Sequence, residues 1–239
     1  MINSTKKATG IWHEALKGLT DLAWPNLCML CGNPLIDGEK GMCLNCMYGL
    51  PAIKDESFKD NATTDRLVGR INFEQATSGF RYTKEANIQK AIELFKYKNE
   101  KEIGLYLGKM AGDRLNKGHF FENIDFLVPV PLHTSKLKKR GYNQCDWIAK
   151  GLGESSGKKT IKNVLKRSIS NTTQTTRNIW NRWENSKQIF ELDCYQGMEG
   201  KHLLLIDDVL TSGSTMEACG RILLKIPGVR VSFFALALA

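Results

Sequence analysis

The sequence predicts an α/β chain, a mostly parallel sheet with flanking helices, carrying a small N-terminal module built on four cysteines. Three observations lead there. From Asp125 onward, short apolar runs alternate with helical periodicity, as in successive βαβ units. Leu203–Ile206 is apolar on both faces and short, the pattern of a buried parallel strand. Near the N-terminus, two C-x-x-C pairs stand close together. At 239 residues the chain has room for one α/β domain and an appendage, expected as residues 1–70 and 71–239.

In chain order, residues 11–24 place apolar side chains at helical spacing and stop before Pro25, which predicts an amphipathic helix. The cysteine block follows. Residues 51–70 are polar and aperiodic, a linker or a loop packed on that block. Gln75–Tyr82 reads as a strand, followed by helices over about 85–97 and 101–116. Phe126–Val130 reads as a strand, Gln144–Leu152 as a helix, Asn163–Lys166 as a short strand and Thr176–Ser186 as a helix. Leu203–Ile206 is the central strand, with a helix near Met216–Leu224 and a last strand over Val231–Leu238.

Cys28-x2-Cys31 is followed, after eleven residues, by Cys43-x2-Cys46. Each pair makes a tight knuckle, and two knuckles supply four thiolates to one tetrahedral centre. A site with all four positions filled by protein is structural, and zinc suits it, although the same ligands also suit an iron–sulfur cluster. Disulfides are disfavoured in the reducing compartment expected for this chain. Cys145, Cys194 and Cys219 are isolated; Cys145 and Cys219, in helical patterns, read as small buried hydrophobes.

The string Leu203–Thr215 carries most of the chemistry. The strand runs into two adjacent carboxylates, Asp207 and Asp208, then Val209, Leu210 and a small-residue loop of Thr211, Ser212, Gly213, Ser214 and Thr215 before a helix. Ligands bind beyond the carboxyl ends of parallel strands. A loop of backbone N–H groups entering a helix N-terminus suits a phosphate. The carboxylates would repel that phosphate, so sugar hydroxyls or a nearby metal are their sensible partners. A phosphorylated sugar satisfies both halves.

Leu127–Pro131 is a second strand that stops abruptly at prolines. His133, Lys136, Lys138, Lys139 and Arg140 follow as a basic loop placed to meet a pyrophosphate. The Ser/Thr/Asn/Gln-rich stretch after Leu165 reads as a mobile loop whose Arg167, Gln174 and Arg177 could close over a phosphate ester.

Charge is concentrated in the same region. Residues 130–190 hold 13 Lys/Arg against 3 Asp/Glu, while the remaining residues are nearly balanced and the whole chain is +9. An anionic partner follows, a polyphosphate or a nucleic acid. No apolar run approaches the ~20 residues of a membrane-spanning helix, and the first residues lack a signal-peptide core. A cytoplasmic protein without membrane insertion is expected.

These motifs together resemble the ComF/GntX family of phosphoribosyltransferase-like proteins. The resemblance runs through Cys28–Cys46, Phe95-Lys96, Val128-Pro129-Val130-Pro131-Leu132-His133 and Arg140-Gly141-Tyr142-Asn143-Gln144. It continues through Arg167…Gln174…Arg182…Asn185 and Ile206-Asp207-Asp208-Val209…Thr211-Ser212-Gly213, the last being similar to the 13-residue signature of type I phosphoribosyltransferases. It implies a type I phosphoribosyltransferase fold behind a zinc module, Mg²⁺-dependent binding of phosphoribosyl pyrophosphate, and a link to DNA uptake in natural transformation. Many relatives carry a further cysteine pair; residues 47–100 here contain none, so no second metal knuckle is expected.

If the chain is a transferase, Asp207 and Asp208 serve ribose transfer as its catalytic pair on the ribose hydroxyls; no residue is an evident general base, and His133 is a weak candidate. Two other classes stay open. One is a non-catalytic binder of single-stranded DNA, with Tyr142, Trp147, Trp180 and Trp183 as stacking candidates. The other is an adaptor that senses phosphoribosyl pyrophosphate and changes its affinity for proteins of the DNA-uptake machinery.

Overall fold

The structure, a computed structural model, describes residues 25–39, 41–54, 57–83, 87–98, 100–167 and 190–239. The helices expected over 11–24 and 176–186 lie outside the described residues, as do Gln174, Arg177, Trp180 and Trp183. Two compact units divide at Gly49/Leu50. In the smaller, Leu27 bridges to Pro34 across a turn and a five-residue helix, α1 (Leu44–Tyr48), follows.

Residues 50–70, assigned above to the cysteine module, fall in the larger unit. The reason is packing. Ala52 forms a bridge with Phe80, the Asn61 amide donates to Ala76 O at 2.8 Å, and Leu67 is fully buried. A polar, aperiodic stretch can still be anchored by a few such contacts, which periodicity does not register.

The larger unit runs β1 (Ala76–Arg81), α2 (Asn87–Tyr97), α3 (Lys101–Lys117), β2 (Phe126–Pro129), α4 (Thr134–Arg140) and α5 (Gln144–Ser156). It continues with β3 (Lys159–Thr160), β4 (Leu165–Arg167), β5 (Phe190–Leu192), β6 (His202–Leu210), α6 (Ser214–Leu223) and β7 (Arg230–Leu238). Five strands form one parallel sheet in the order β1-β7-β6-β2-β3, as the alternating pattern predicts. β4 and β5 form a separate antiparallel pair.

β6 is central, and its first four apolar residues, Leu203–Ile206, are completely buried. Burial of each such side chain contributes about 1.5–3 kcal/mol. Leu203 and Leu205 share one core cluster with Val231, Phe233 and Ala235 of β7 and Met216, Cys219 and Leu223 of α6. On the other face, α3 and α5 approach closely enough that a Cβ on Gly108 would stand 2.5 Å from Ile148 O.

Two expectations change. β6 does not stop at Ile206; both carboxylates lie within the strand, which pairs with β7 through Leu210↔Leu238. The basic stretch 134–140 is a helix rather than a loop, capped by the His133 side chain and closed by Gly141 at φ 81°.

Candidate active site and metal centre

The geometry begins with unequal strand lengths. β2 pairs with β6 only as far as Pro129↔Ile206, with one more bond from Val130 N to Ile206 O. Pro131 brings no N–H, so the ladder cannot extend there. Beyond Ile206, β6 is paired on the β7 side alone, and Asp207 and Asp208 stand at the open edge.

Adjacent strand residues point to opposite faces, so the two carboxylates separate. Asp207 Oδ1 accepts from Asp208 N at 2.8 Å and lies 3.6 Å from the buried Cys145 thiol. Burial first, and the Asp208 charge second, push the Asp207 carboxyl up to about 7. Burial likewise raises the Cys145 thiol, with Asp207 adding to it. Cys145 is thus buried as expected, but against a carboxylate. Asp208 Oδ2 meets Lys96 Nζ at 2.9 Å, both side chains only about a fifth exposed.

Lys96 ends α2, and its neighbours are tied down. Tyr142 Oη donates to Phe95 O, and the Arg140 guanidinium lies over the Tyr97 ring, 5.7 Å from its centroid. The end of α2 therefore joins the acidic pair to the end of the basic helix.

Past Leu210, residues 211–213 turn into α6, whose cap is Gly213 at φ 79°. A left-handed backbone favours glycine there, and a Cβ would come within 2.9 Å of Arg66 O. The loop wraps a recess of about 30 Å³ lined by Asp207 and residues 209–216. Ser212 Oγ and Ser214 Oγ lie 2.9 Å apart at its mouth.

Two arginines absent from the sequence expectations brace this loop from behind. Arg66 donates to Thr211 O at 3.3 Å and to Ala239 O at 2.9 Å. Arg70 donates to Ser212 O and pairs with Glu217 of α6 at 3.1 Å. The carbonyl oxygens of Thr211 and Ser212 are thus satisfied by side chains from outside the loop. No local pattern marks these residues, because each partner lies more than 140 positions away.

The remaining expected residues divide. His133 follows β2 and caps α4, its Nδ1 accepting from Ser135 N at 3.2 Å, which occupies the atom a base would use. Lys136 is exposed on α4, a helix that buries none of its residues. Arg167 ends β4, rather than lying in a loop, with its guanidinium 5.2 Å from the Phe190 ring centroid. Gln174 and Arg177 lie outside the described residues.

In the smaller unit the four cysteine sulfurs all lie within 4.8 Å of one another. Cys31 and Cys43 sulfurs are 3.7 Å apart, against about 3.8 Å between two thiolates on a tetrahedral zinc with 2.3 Å bonds. At Cys28, burial raises the thiol, but backbone N–H groups led by Cys31 and Cys43 outweigh it and bring it down to about 6. Burial and the neighbouring thiols push Cys46 up. Four thiols this close suit a divalent cation, which would deprotonate them, so the cluster could hold zinc.

No protein-family model matches the chain. It is similar to competence protein F of Haemophilus influenzae, 28% identical over 152 residues, covering 62% of this chain and 66% of that protein. DNA utilization protein YhgH of Escherichia coli K12 is 25% identical over 237 residues, covering 90% and 98%. Competence protein ComFC of Bacillus subtilis is 28% identical over 214 residues, covering 88% and 77%. Among solved structures, an adenine phosphoribosyltransferase from Saccharomyces cerevisiae matches at TM-score 0.37 and 11% identity, over 61% of this chain and 72% of that one. A hypoxanthine phosphoribosyltransferase from Staphylococcus aureus matches at 0.35 and 13%, over 58% and 74%. At 25–28% identity, competence protein F, YhgH and ComFC make the chain similar to the ComF family.

Proposed function

We propose that the chain binds phosphoribosyl pyrophosphate as its Mg²⁺ complex and serves DNA uptake. One observation carries the reading: a parallel strand that outruns its neighbour, leaves Asp207 and Asp208 at an open edge, and passes into a braced small-residue loop at the N-terminus of α6. The loop N–H groups and the hydroxyls of Thr211, Ser212, Ser214 and Thr215 suit the 5′-phosphate. Asp207 and Asp208 suit ribose hydroxyls or the cation, and Lys136 and Arg140 suit the diphosphate. Mg²⁺, when bound, would neutralise the diphosphate as a leaving group.

As an enzyme the chain would be a pentosyl-transferring glycosyltransferase. Displacement at ribose C1 passes through an oxocarbenium-like state, so positioned charge supplies most of the acceleration. The link to DNA rests on the names competence protein F, ComFC and DNA utilization protein YhgH borne by its relatives. Zinc at Cys28, Cys31, Cys43 and Cys46 is proposed as structural, and no described helix is long and apolar enough to cross a membrane.

A second reading, a single-stranded DNA-binding adaptor without turnover, is favoured by α4. That helix buries nothing, carries Lys136, Lys138, Lys139 and Arg140, and stands beside Tyr97, which is 75% exposed. Of the earlier aromatic candidates, Tyr142 is core and Trp147 is half-buried between Lys101 and Lys150.

Calorimetry of the full chain with phosphoribosyl pyrophosphate and Mg²⁺ tests the first reading. Saturable binding is expected in the wild type and none in a folded Asp207→Ala/Asp208→Ala variant. Unchanged affinity in that variant would reject it. Pyrophosphate release on adding acceptors then separates transferase from adaptor.

A further inference from the structure

We infer that Lys96 is a placeholder cation: it pairs with Asp208 until a divalent cation arrives with the donor, and then transfers to the diphosphate. The inference rests on the phosphoribosyl pyrophosphate reading and adds a residue and a binding order to it.

The Lys96 ammonium stands 2.9 Å from Asp208 Oδ2, and both side chains are largely withdrawn from water. A partly desolvated carboxylate at an open strand edge needs a cation, and among the described residues Lys96 is the ion-pair partner Asp208 has. Its location is favourable on separate grounds. Lys96 lies in the last turn of α2, where the helix dipole favours positive charge.

The backbone around it is anchored on both sides. The Phe95 ring is fully buried and its carbonyl accepts from Tyr142 Oη. The Arg140–Tyr97 contact holds the next residue. A lysine on such an anchored backbone moves its charge by rotating a four-carbon stem, without moving the helix. Its new partner would be near, since Arg140 already brings the end of the basic α4 alongside Tyr97.

The electrostatics give the order of events. A divalent cation alone must evict an ammonium from Asp208 and leave it without a partner. A cation arriving with a diphosphate supplies the evicted ammonium with a phosphate oxygen. Metal and donor should therefore bind with positive coupling, and Lys96 should be its source.

The experiment measures Mn²⁺ binding, by electron paramagnetic resonance, to the full wild-type chain and to Lys96→Met, without donor. Methionine keeps the stem and removes the charge. Mn²⁺ alone should bind Lys96→Met on the order of tenfold more tightly than wild type, with Lys96→Arg close to wild type. Unchanged Mn²⁺ affinity in a Lys96→Met protein with wild-type circular dichroism overturns the inference, whatever the donor does. In calorimetry with Mg²⁺, Lys96→Met should also lose donor affinity on the order of tenfold. Undiminished donor affinity overturns the transfer of Lys96 to the diphosphate. If wild type binds no donor at all, the function proposed above fails, while the Mn²⁺ comparison still decides whether Lys96 holds the cation position.

Discussion

Gly213→Ala is the substitution whose cost the structure defines most closely. Two terms contribute. At φ 79° the backbone is left-handed, which costs an alanine about 1–2 kcal/mol. The added Cβ would also lie 2.9 Å from Arg66 O and 3.2 Å from Leu67 Cδ2, and overpacking of this kind costs about 1–3 kcal/mol. The total is roughly 2–5 kcal/mol, equivalent to a fall in Tm of about 4–20 °C for a unit of this size. Gly157→Ala is the control, because Gly157 has φ 70° with nothing within 4 Å of a Cβ. It should carry the backbone term alone, a fall of about 2–8 °C. Thermal melts of the two variants side by side isolate the contact. Gly213→Ala should also weaken phosphoribosyl pyrophosphate binding, since the Arg66 carbonyl cannot yield without disturbing the loop it braces. Equal melting shifts, or a loop variant with wild-type affinity, would refute the argument.

Two further outcomes are expected. Asp207 is held near 7 when folded, against about 3.9 in an unfolded chain. Between those values the folded state carries a proton that the unfolded chain has lost. The stability it contributes is complete below about pH 4 and disappears as pH rises through about 7. Asp207→Asn should therefore flatten Tm between pH 5 and 8 and exceed wild type at the upper end; parallel profiles would disprove the shift. For the cysteine centre, a strong chelator should remove one metal per chain and render residues 25–49 protease-sensitive, because structural zinc contributes folding energy of roughly 10–16 kcal/mol in small zinc modules. A metal-free module that stays protease-resistant would count against zinc as its organiser.

What the sequence made legible was local. The acidic pair and the glycine turn each lie within a few residues and the four cysteines between positions 28 and 46, and the alternation of apolar runs with helices predicted the parallel sheet. What it hid depends on distant partners. Arg66 and Arg70 look like ordinary exposed cations until the fold brings them behind Thr211 and Ser212. Cys145 looks like core until Asp207 lies beside it, 62 positions later in the chain. Lys96 did have a signal, since Phe95-Lys96 is among the motifs carrying the family resemblance, but its partner Asp208 is set by topology. The end of β6 was misjudged because two carboxylates resemble a strand terminus, whereas apolar Ala235–Leu238 on the neighbouring strand continue the ladder past them.

That misjudged strand end explains the site better than the motif does. Had β6 stopped at Ile206, Asp207 and Asp208 would sit in a loop, hydrated and free to turn together toward one ligand. Held in the strand, they face opposite sides: Asp207 toward the core, where burial raises its pKa to about 7, and Asp208 toward Lys96. Both arrangements cost stability in the absence of a ligand, one by confining a carboxyl and the other by desolvating an ion pair. A fold under selection for stability alone would replace both carboxylates with apolar residues. Their presence together at the open edge of the central strand fits the proposed site, which would recover this cost on binding a cation and a sugar phosphate.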